Sequence, residues 1–184
     1  GVSFSATEKL TLAKLLLTEL KVDRIEIASA RVSDGEFNAV KGIIKWAKGN
    51  GYLKAVEILT FVDNHTSIDW MKKAGAKVQN LLTKGSLNHL KHQLKKTPDE
   101  HFNEVEQTIN YAISNQIETN VYLEDWSNGM RNSKEYVFEF LDFLSKKPVK
   151  RILLPDTLGV LTPIECNSFI SEICQKYPSL HIDF

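Results

Sequence analysis

Residues 119–155, TNVYLEDWSNGMRNSKEYVFEFLDFLSKKPVKRILLP, decide the fold class. In 119–124 the apolar Val121 and Leu123 alternate with Asn120, Tyr122 and Glu124, the period-2 pattern of a strand. Residues 133–146 follow as a helix, and 149–155 as a second strand rich in Val, Ile and Leu. Strand, helix and strand within so short a stretch make a βα unit.

The unit repeats on both sides. Upstream, Leu10, Ala13, Leu16, Leu17 and Leu20 recur at helical spacing over 6–20, and Ser5 with Glu8 forms a capping-box start. A strand over 24–28 precedes a helix over 36–48, with Phe37, Val40, Ile43, Ile44 and Ala47 on one face and Gly49 as its stop. A strand over 55–62, a helix over 63–74 ending near Gly75, and a strand over 77–83 come next. Thr97-Pro98 caps a helix over 99–115 that turns Phe102, Val105, Ile109 and Ile113 inward. Downstream, Thr162-Pro163 opens a helix reaching Tyr177, and 180–184 begins a last strand.

Six strands separated by helices predict an α/β fold with a parallel sheet. The pattern alone fits both a doubly wound sheet and a TIM barrel. A full barrel takes eight strands and ~250 residues. This chain supplies six of eight, opening on a helix and ending on a strand. The expectation is therefore one domain over 1–184, an incomplete (β/α)8 barrel cut at both ends.

The composition narrows the function classes. The 184 residues carry 23 Lys+Arg against 23 Asp+Glu, so the formal net charge is zero, which argues against a nucleic-acid partner or a membrane-surface partner. No apolar run approaches the roughly 20 residues that span a bilayer. The two cysteines, Cys166 and Cys174, are too few for a disulfide scaffold and read as small apolar residues on one helical face in a reducing compartment. The chain opens at Gly1 without a charged n-region or a cleavage site, so no leader is expected and the protein is placed in the cytoplasm.

In a βα barrel, function sits at the C-terminal strand ends. Those ends carry Ser29-Ala30-Arg31 with Asp34-Gly35-Glu36, then Thr60-Phe61 with Asp63-Asn64, then Thr83-Lys84-Gly85-Ser86, Glu124-Asp125-Trp126-Ser127-Asn128-Gly129, and Pro155-Asp156-Thr157. Alternation puts Tyr122 and Glu124 on one face and Asp125 on the other. An inward carboxylate at a strand mouth costs free energy unless it is paired, hydrogen-bonded or near a metal. Glu124 and Glu26 each admit two readings: an ion pair with a lysine or arginine of the next strand, or a functional group. Asp156 likewise reads as a turn residue capping backbone amides or as part of a site. Asp34-Gly35 is a turn signal, and Trp126 either packs over the site or caps the barrel. His89-x-x-His92, among Lys84, Lys91, Lys95 and Lys96 and without a nearby carboxylate, reads as a solvated face whose lysines could attract phosphate groups by simple charge.

Four segments carry a resemblance. Leu154-Pro155-Asp156-Thr157-Leu158-Gly159 through Pro163 resembles the PDT-G-x-x-x-P segment of the 2-isopropylmalate synthase family, which includes citramalate and homocitrate synthases and, more distantly, 3-hydroxy-3-methylglutaryl-CoA lyase. Arg24 to Ala30 with Gly35-Glu36-Phe37 resembles the same family. The runs from Asn80 to Leu87 and from Asn120 to Gly129 resemble its citramalate synthase branch. The resemblance covers essentially the whole chain.

It implies a TIM barrel with a divalent metal (Mg, Mn or Zn) at its mouth and acetyl-CoA as co-substrate. It also implies a homodimer working in branched-chain amino-acid biosynthesis. The implied reaction is a Claisen-type condensation of acetyl-CoA with a 2-oxoacid, with pyruvate and hence (R)-citramalate favoured. 2-Oxoisovalerate is the alternative, followed by a homocitrate-type synthase, a lyase, or a non-catalytic remnant. By the same resemblance Glu124 is catalytic, Thr157 binds the 2-oxoacid carboxylate, and Leu59, Leu82 and Tyr122 line the pocket for its side chain. Glu26 stands behind the metal. The family's LRDGEQ and His-x-His motifs, which hold that metal, are absent from the 184 residues, so no residue here is assigned as a ligand and the chain alone is expected to be inactive.

Overall fold

The computed structural model describes residues 3–184. Six strands form one parallel, unclosed sheet in the order β1-β2-β3-β4-β5-β6: β1 Ile25–Ser29, β2 Val56–Phe61, β3 Val78–Lys84, β4 Glu118–Glu124, β5 Ile152–Leu153 and β6 Ile182–Asp183. The helices are α1 Ala6–Lys14, α2 Asp34–Gly49, α3 Thr66–Ala74, α4 Leu87–His89, α5 Pro98–Ser114, α6 Trp126–Asn132, α7 Lys134–Leu144 and α8 Pro163–Lys176. The chain divides into two compact units, Gly1–Asn80 with Tyr111–Glu118, and Leu81–Asn110 with Thr119–Phe184, and the division runs through β3 and β4. No helix among the described residues is long and apolar enough to cross a membrane.

In the first unit α1 begins at the expected Ser5–Glu8 capping box and continues into a π turn, Leu15–Glu19. Ala13, Leu17, Val40, Ile43, Ile44 and Ala47 of the helical segments and Val56 and Ile58 of β2 are buried in one apolar core. Each large aliphatic side chain so buried stabilises by about 1.5–3 kcal/mol. Helix α2 starts earlier than its apolar period indicates. Ser33 caps it by accepting from the Glu36 N–H at 3.1 Å, so Asp34 and Gly35 lie in its first turn and do not form a free turn. Gly49 is its last residue, and Asn50 ends it. We expect Ser33→Ala to cost about 1 kcal/mol, read as a lower urea midpoint at unchanged slope. Helix α3 starts at Thr66, later than expected, because the Asp63 carboxylate takes the Ser67 N–H at 3.0 Å while Asn64 and His65 adopt positive φ.

In the second unit Val121 and Leu123 are fully buried, as are Val105 and Ile109 of α5 and Val137, Phe140, Leu141 and Leu144 of α7. Phe102 stacks on Phe140 with ring centroids 4.9 Å apart. The end of α5 belongs to the first unit, and there its inward residue is Ala112, with no exposure, whereas Ile113, expected inside, is 45% exposed. A helix turns 100° per residue, and the Phe102-Val105-Ile109 stripe continues at i+3 here, not at i+4.

Helix α6 occupies a segment expected to be loop. Trp126 is fully buried, edge-on to Phe169 and Phe184, so it belongs to the core and does not cover a site. Thr162 and Glu165 form a capping box with Pro163 at the start of α8. Cys166 and Cys174 are both free, and Cys174 is exposed.

Candidate active site

The strand ends of the second unit meet around two consecutive carboxylates. Tyr122 and Glu124 are partly exposed while Val121 and Leu123 are sealed, so the expected alternation holds. Asp125 is only 2% exposed and takes a left-handed backbone, φ 64°.

The Glu124 carboxylate pairs with the ammonium of Lys84, the last residue of neighbouring β3. Their side chains are 22% and 12% exposed. Of the two readings open for Glu124, the ion pair is present, with a partner on the preceding strand. Lys84 Nζ also donates to Gln93 Oε1 at 2.8 Å. The Lys84 backbone is held at both ends. Its N–H donates to His101 Nε2 at 3.3 Å, and the Tyr136 hydroxyl donates to its carbonyl at 2.8 Å.

His101 has no exposure, and burial, with Lys96 and Lys84 adding repulsion, pushes its pKa down to about 4. Nε2 accepts, so the proton of the neutral ring sits on Nδ1, which is buried without a partner. Burial, with Glu139 nearby, raises the Tyr136 phenol well above its usual range and keeps it a donor.

Asp125 collects the loops that follow three strands. Ser86 donates to its Oδ2 at 2.7 Å, Asn128 to its Oδ1 at 2.8 Å, and His89 Nε2 lies 3.4 Å from Oδ2. Its backbone N–H donates to the Thr157 hydroxyl at 3.0 Å. Thr157, exposed, donates in turn to the Pro155 carbonyl at 3.3 Å. His89 is therefore turned inward against a carboxylate, which corrects its placement on a solvated face. His92 is exposed. Asp156 accepts from Ser127 Oγ at 2.7 Å and from the Leu161 N–H at 2.9 Å. Desolvation works upward on its carboxyl, but the hydrogen bonds from Leu161, Ser127 and Val160 outweigh it and hold the group below the usual carboxylate range. The turn reading of Asp156 is the one present.

Two glycines make this geometry possible. The Gly85 N–H donates to the Glu124 carbonyl at 2.6 Å, and a Cβ at Gly85 would lie 2.8 Å from the Leu123 carbonyl oxygen. A Cβ at Gly129 of α6 would lie 2.0 Å from the Gly85 carbonyl oxygen.

Leu82 and Tyr122 also belong to this unit. Both are partly buried; Tyr122 stands opposite Leu153 in the β4–β5 register, and its carbonyl accepts from Thr83 Oγ1 at 2.6 Å.

The remaining candidates lie in the first unit. Leu59 stands opposite Ser29 and Glu26 opposite Glu57. Asn80 Nδ2 donates to both carboxylates, at 2.7 Å to Glu26 and 3.0 Å to Glu57, and Arg24 Nε lies 3.5 Å from Glu57. Glu57 was not singled out in the sequence, although it has the same signal as Glu26, a carboxylate between two apolar strand residues.

Among the described residues no group of three His, Cys, Asp or Glu gathers that could hold a metal ion. The divalent metal implied by resemblance thus finds no donor set in them.

Known proteins resemble this chain in sequence and in fold. A probable 2-isopropylmalate synthase of Ignicoccus hospitalis is 29% identical over 173 residues, 94% of this chain and 41% of that protein. An (R)-citramalate synthase of Methanocaldococcus jannaschii is 30% identical over 177 residues, 96% of this chain and 34% of that protein. The chain thus spans between about a third and two-fifths of these relatives' length. The crystal structure of a Bacillus subtilis HMG-CoA lyase superposes with a TM-score of 0.76 at 19% identity, covering 98% of this chain and 61% of that one. At that identity the likeness speaks for the fold alone, and the open six-stranded sheet is part of a TIM barrel. The HMGL-like family profile matches residues 1–184 from end to end, and the chain belongs to the HMGL-like family.

Proposed function

We propose that the protein is an acyltransferase condensing acetyl-CoA with a 2-oxoacid, and that the oxoacid is pyruvate, giving (R)-citramalate. In this reaction the methyl group of acetyl-CoA loses a proton, the resulting carbanion attacks the ketone carbon, and hydrolysis of the thioester frees CoA. The observation that carries the reading is the link from Glu124 through the Asp125 N–H to Thr157. The carboxylate suited to orienting water or moving a proton and the hydroxyl suited to the oxoacid carboxylate stand at adjacent strand ends, and the hydroxyl accepts the N–H of Asp125, the residue that follows Glu124. Carboxylate binding would draw the Thr157 proton from the Pro155 carbonyl to the ligand.

Substrate choice rests on volume. By family resemblance Leu82 and Tyr122 are assigned to the pocket for the oxoacid side chain, and two side chains of that volume would suit the methyl group of pyruvate better than an isopropyl group. A hydrophobic pocket discriminates by only ~1–3 kcal/mol per methylene, but overfilling excludes more strongly. A second reading, 2-isopropylmalate synthesis from 2-oxoisovalerate, draws on the name of the Ignicoccus relative.

The test follows CoA release with a thiol reagent in the full-length protein, with magnesium present. We expect kcat/KM on pyruvate to exceed that on 2-oxoisovalerate by about tenfold or more. We expect Glu124→Gln to lower kcat by roughly 10²- to 10⁴-fold. Preference for 2-oxoisovalerate would overturn the volume argument and keep the condensation. Absence of release with both would overturn both substrates and point to a homocitrate-type synthase or a lyase.

A further inference from the structure

We infer that Lys84 is a positioning residue for the reaction: its ammonium fixes the Glu124 carboxylate, while His101 and Tyr136 fix Lys84 itself. The inference rests on the proposed role of Glu124.

Exposed ion pairs add little stability, and a pair withdrawn from water is often no better than an apolar pair of the same volume. Lys84 and Glu124 are withdrawn, at 12% and 22% side-chain exposure. Stability is therefore a poor account of why a lysine stands there. The surroundings point to geometry instead. Gln93 takes a second N–H of the ammonium, which stops its rotation and aims the charge. The fully buried His101 spends its one acceptor on the Lys84 backbone N–H and leaves Nδ1–H unmet. Tyr136, 3% exposed, spends its hydroxyl proton on the carbonyl of the same residue. Two buried polar side chains from two helices thus hold the two peptide groups that flank Lys84. The second of these peptides is joined to the next strand by the hydrogen bond from the Gly85 N–H to the Glu124 carbonyl, so the backbones carrying the lysine and the carboxylate are fixed as one piece. Preorganisation of this kind is what a site holding a group within a fraction of an ångström of its working position requires.

The experiment compares Lys84→Met, Glu124→Gln and their double variant in the full-length protein, with CoA release from acetyl-CoA and pyruvate as the readout. Lys84→Met should lower kcat by about 10- to 100-fold and leave KM for pyruvate within about threefold. The double variant should be no slower than Glu124→Gln alone, since a residue acting only through Glu124 has nothing left to position. Should Lys84→Met fail to fold, Lys84→Arg decides the matter. It keeps the charge but moves its point of contact, and kcat should fall about 3- to 10-fold at unchanged thermal midpoint. Lys84→Met within twofold of wild type while Glu124→Gln is slow would overturn the inference and leave the proposed function standing. Multiplicative losses in the double variant would overturn it too, because Lys84 would then act independently. Glu124→Gln as fast as wild type would overturn the role of Glu124 and the inference with it.

Discussion

Gly129→Ala is expected to destabilise the second unit by about 3 kcal/mol or more. The added methyl would lie 2.0 Å from the Gly85 carbonyl oxygen, 2.8 Å from Val137 Cγ2 and 3.1 Å from the Gly85 carbonyl carbon. Real methyl groups do not approach backbone oxygen so closely, and neither side can give way. The Gly85 N–H is tied to the Glu124 carbonyl at 2.6 Å, and α6 is anchored by the fully buried Trp126. Forcing helix and strand apart would open the core around Trp126 and pull Asp125 from its partners. Overpacking of this kind costs about 3 kcal/mol or more, a large share of the roughly 5–15 kcal/mol that holds a domain together. Urea unfolding followed by circular dichroism checks it, with Gly42→Ala as the control. Gly42 lies in α2 with nothing within 4 Å of its added methyl, so there alanine should stabilise by about 0.5–1 kcal/mol. A Gly129→Ala variant within 1 kcal/mol of wild type would show that the helix–strand approach is looser than described.

The second large effect is on acid stability. His101 has a folded pKa of about 4 against an ordinary value of 6.5, mainly because burial disfavours its charged form. Between those values the unfolded chain binds the proton more readily than the folded one. The contribution of His101 is thus fully present above pH 6.5 and is lost as pH falls through 4. It amounts to about 3 kcal/mol over that window, from 1.36 kcal/mol per pKa unit. Protonation would also remove the acceptor for the Lys84 N–H, so the loss should start at the strand end that carries the Glu124 partner. Unfolding free energies at pH 7, 5.5 and 4.5 test this, compared with His101→Gln, whose side-chain carbonyl can accept the same N–H without titrating. The variant should show the shallower fall, and equal slopes in the two proteins would assign the acid sensitivity to other groups.

The alternation of Val121 and Leu123 with Tyr122 and Glu124 was legible because it obeys a local rule, and so were the caps at Ser5 and Thr162. The six strands followed from the same local signals. Features fixed by distant partners were not. Residues 126–132 contain glycine and asparagine and have no strong helical preference; α6 exists because Gly129 can approach Gly85 and Trp126 can be buried. His89 reads as solvated among lysines because its partner, Asp125, arrives from a later strand. Ala112 displaces Ile113 inward because the α5 stripe drifts around the helix, which a short window does not register. His101 carries no local mark at all, since its importance lies in which backbone N–H it accepts. Of the candidate residues, Glu124 and Thr157 are linked through Asp125, and Glu26 shares Asn80 with a glutamate that the sequence had not singled out.

Asp125 has one further consequence, for divergence. Loops are ordinarily the segments in which related proteins differ most freely. Here one residue, in a backbone conformation that side chains seldom adopt, is bonded to Ser86 after β3, to Asn128 in the first turn of α6 and to Thr157 after β5. Those segments cannot change length or conformation one at a time without leaving the buried Asp125 carboxylate short of a donor or its N–H short of an acceptor. They form a single inheritable block, and grafting them between relatives would mean moving all three together.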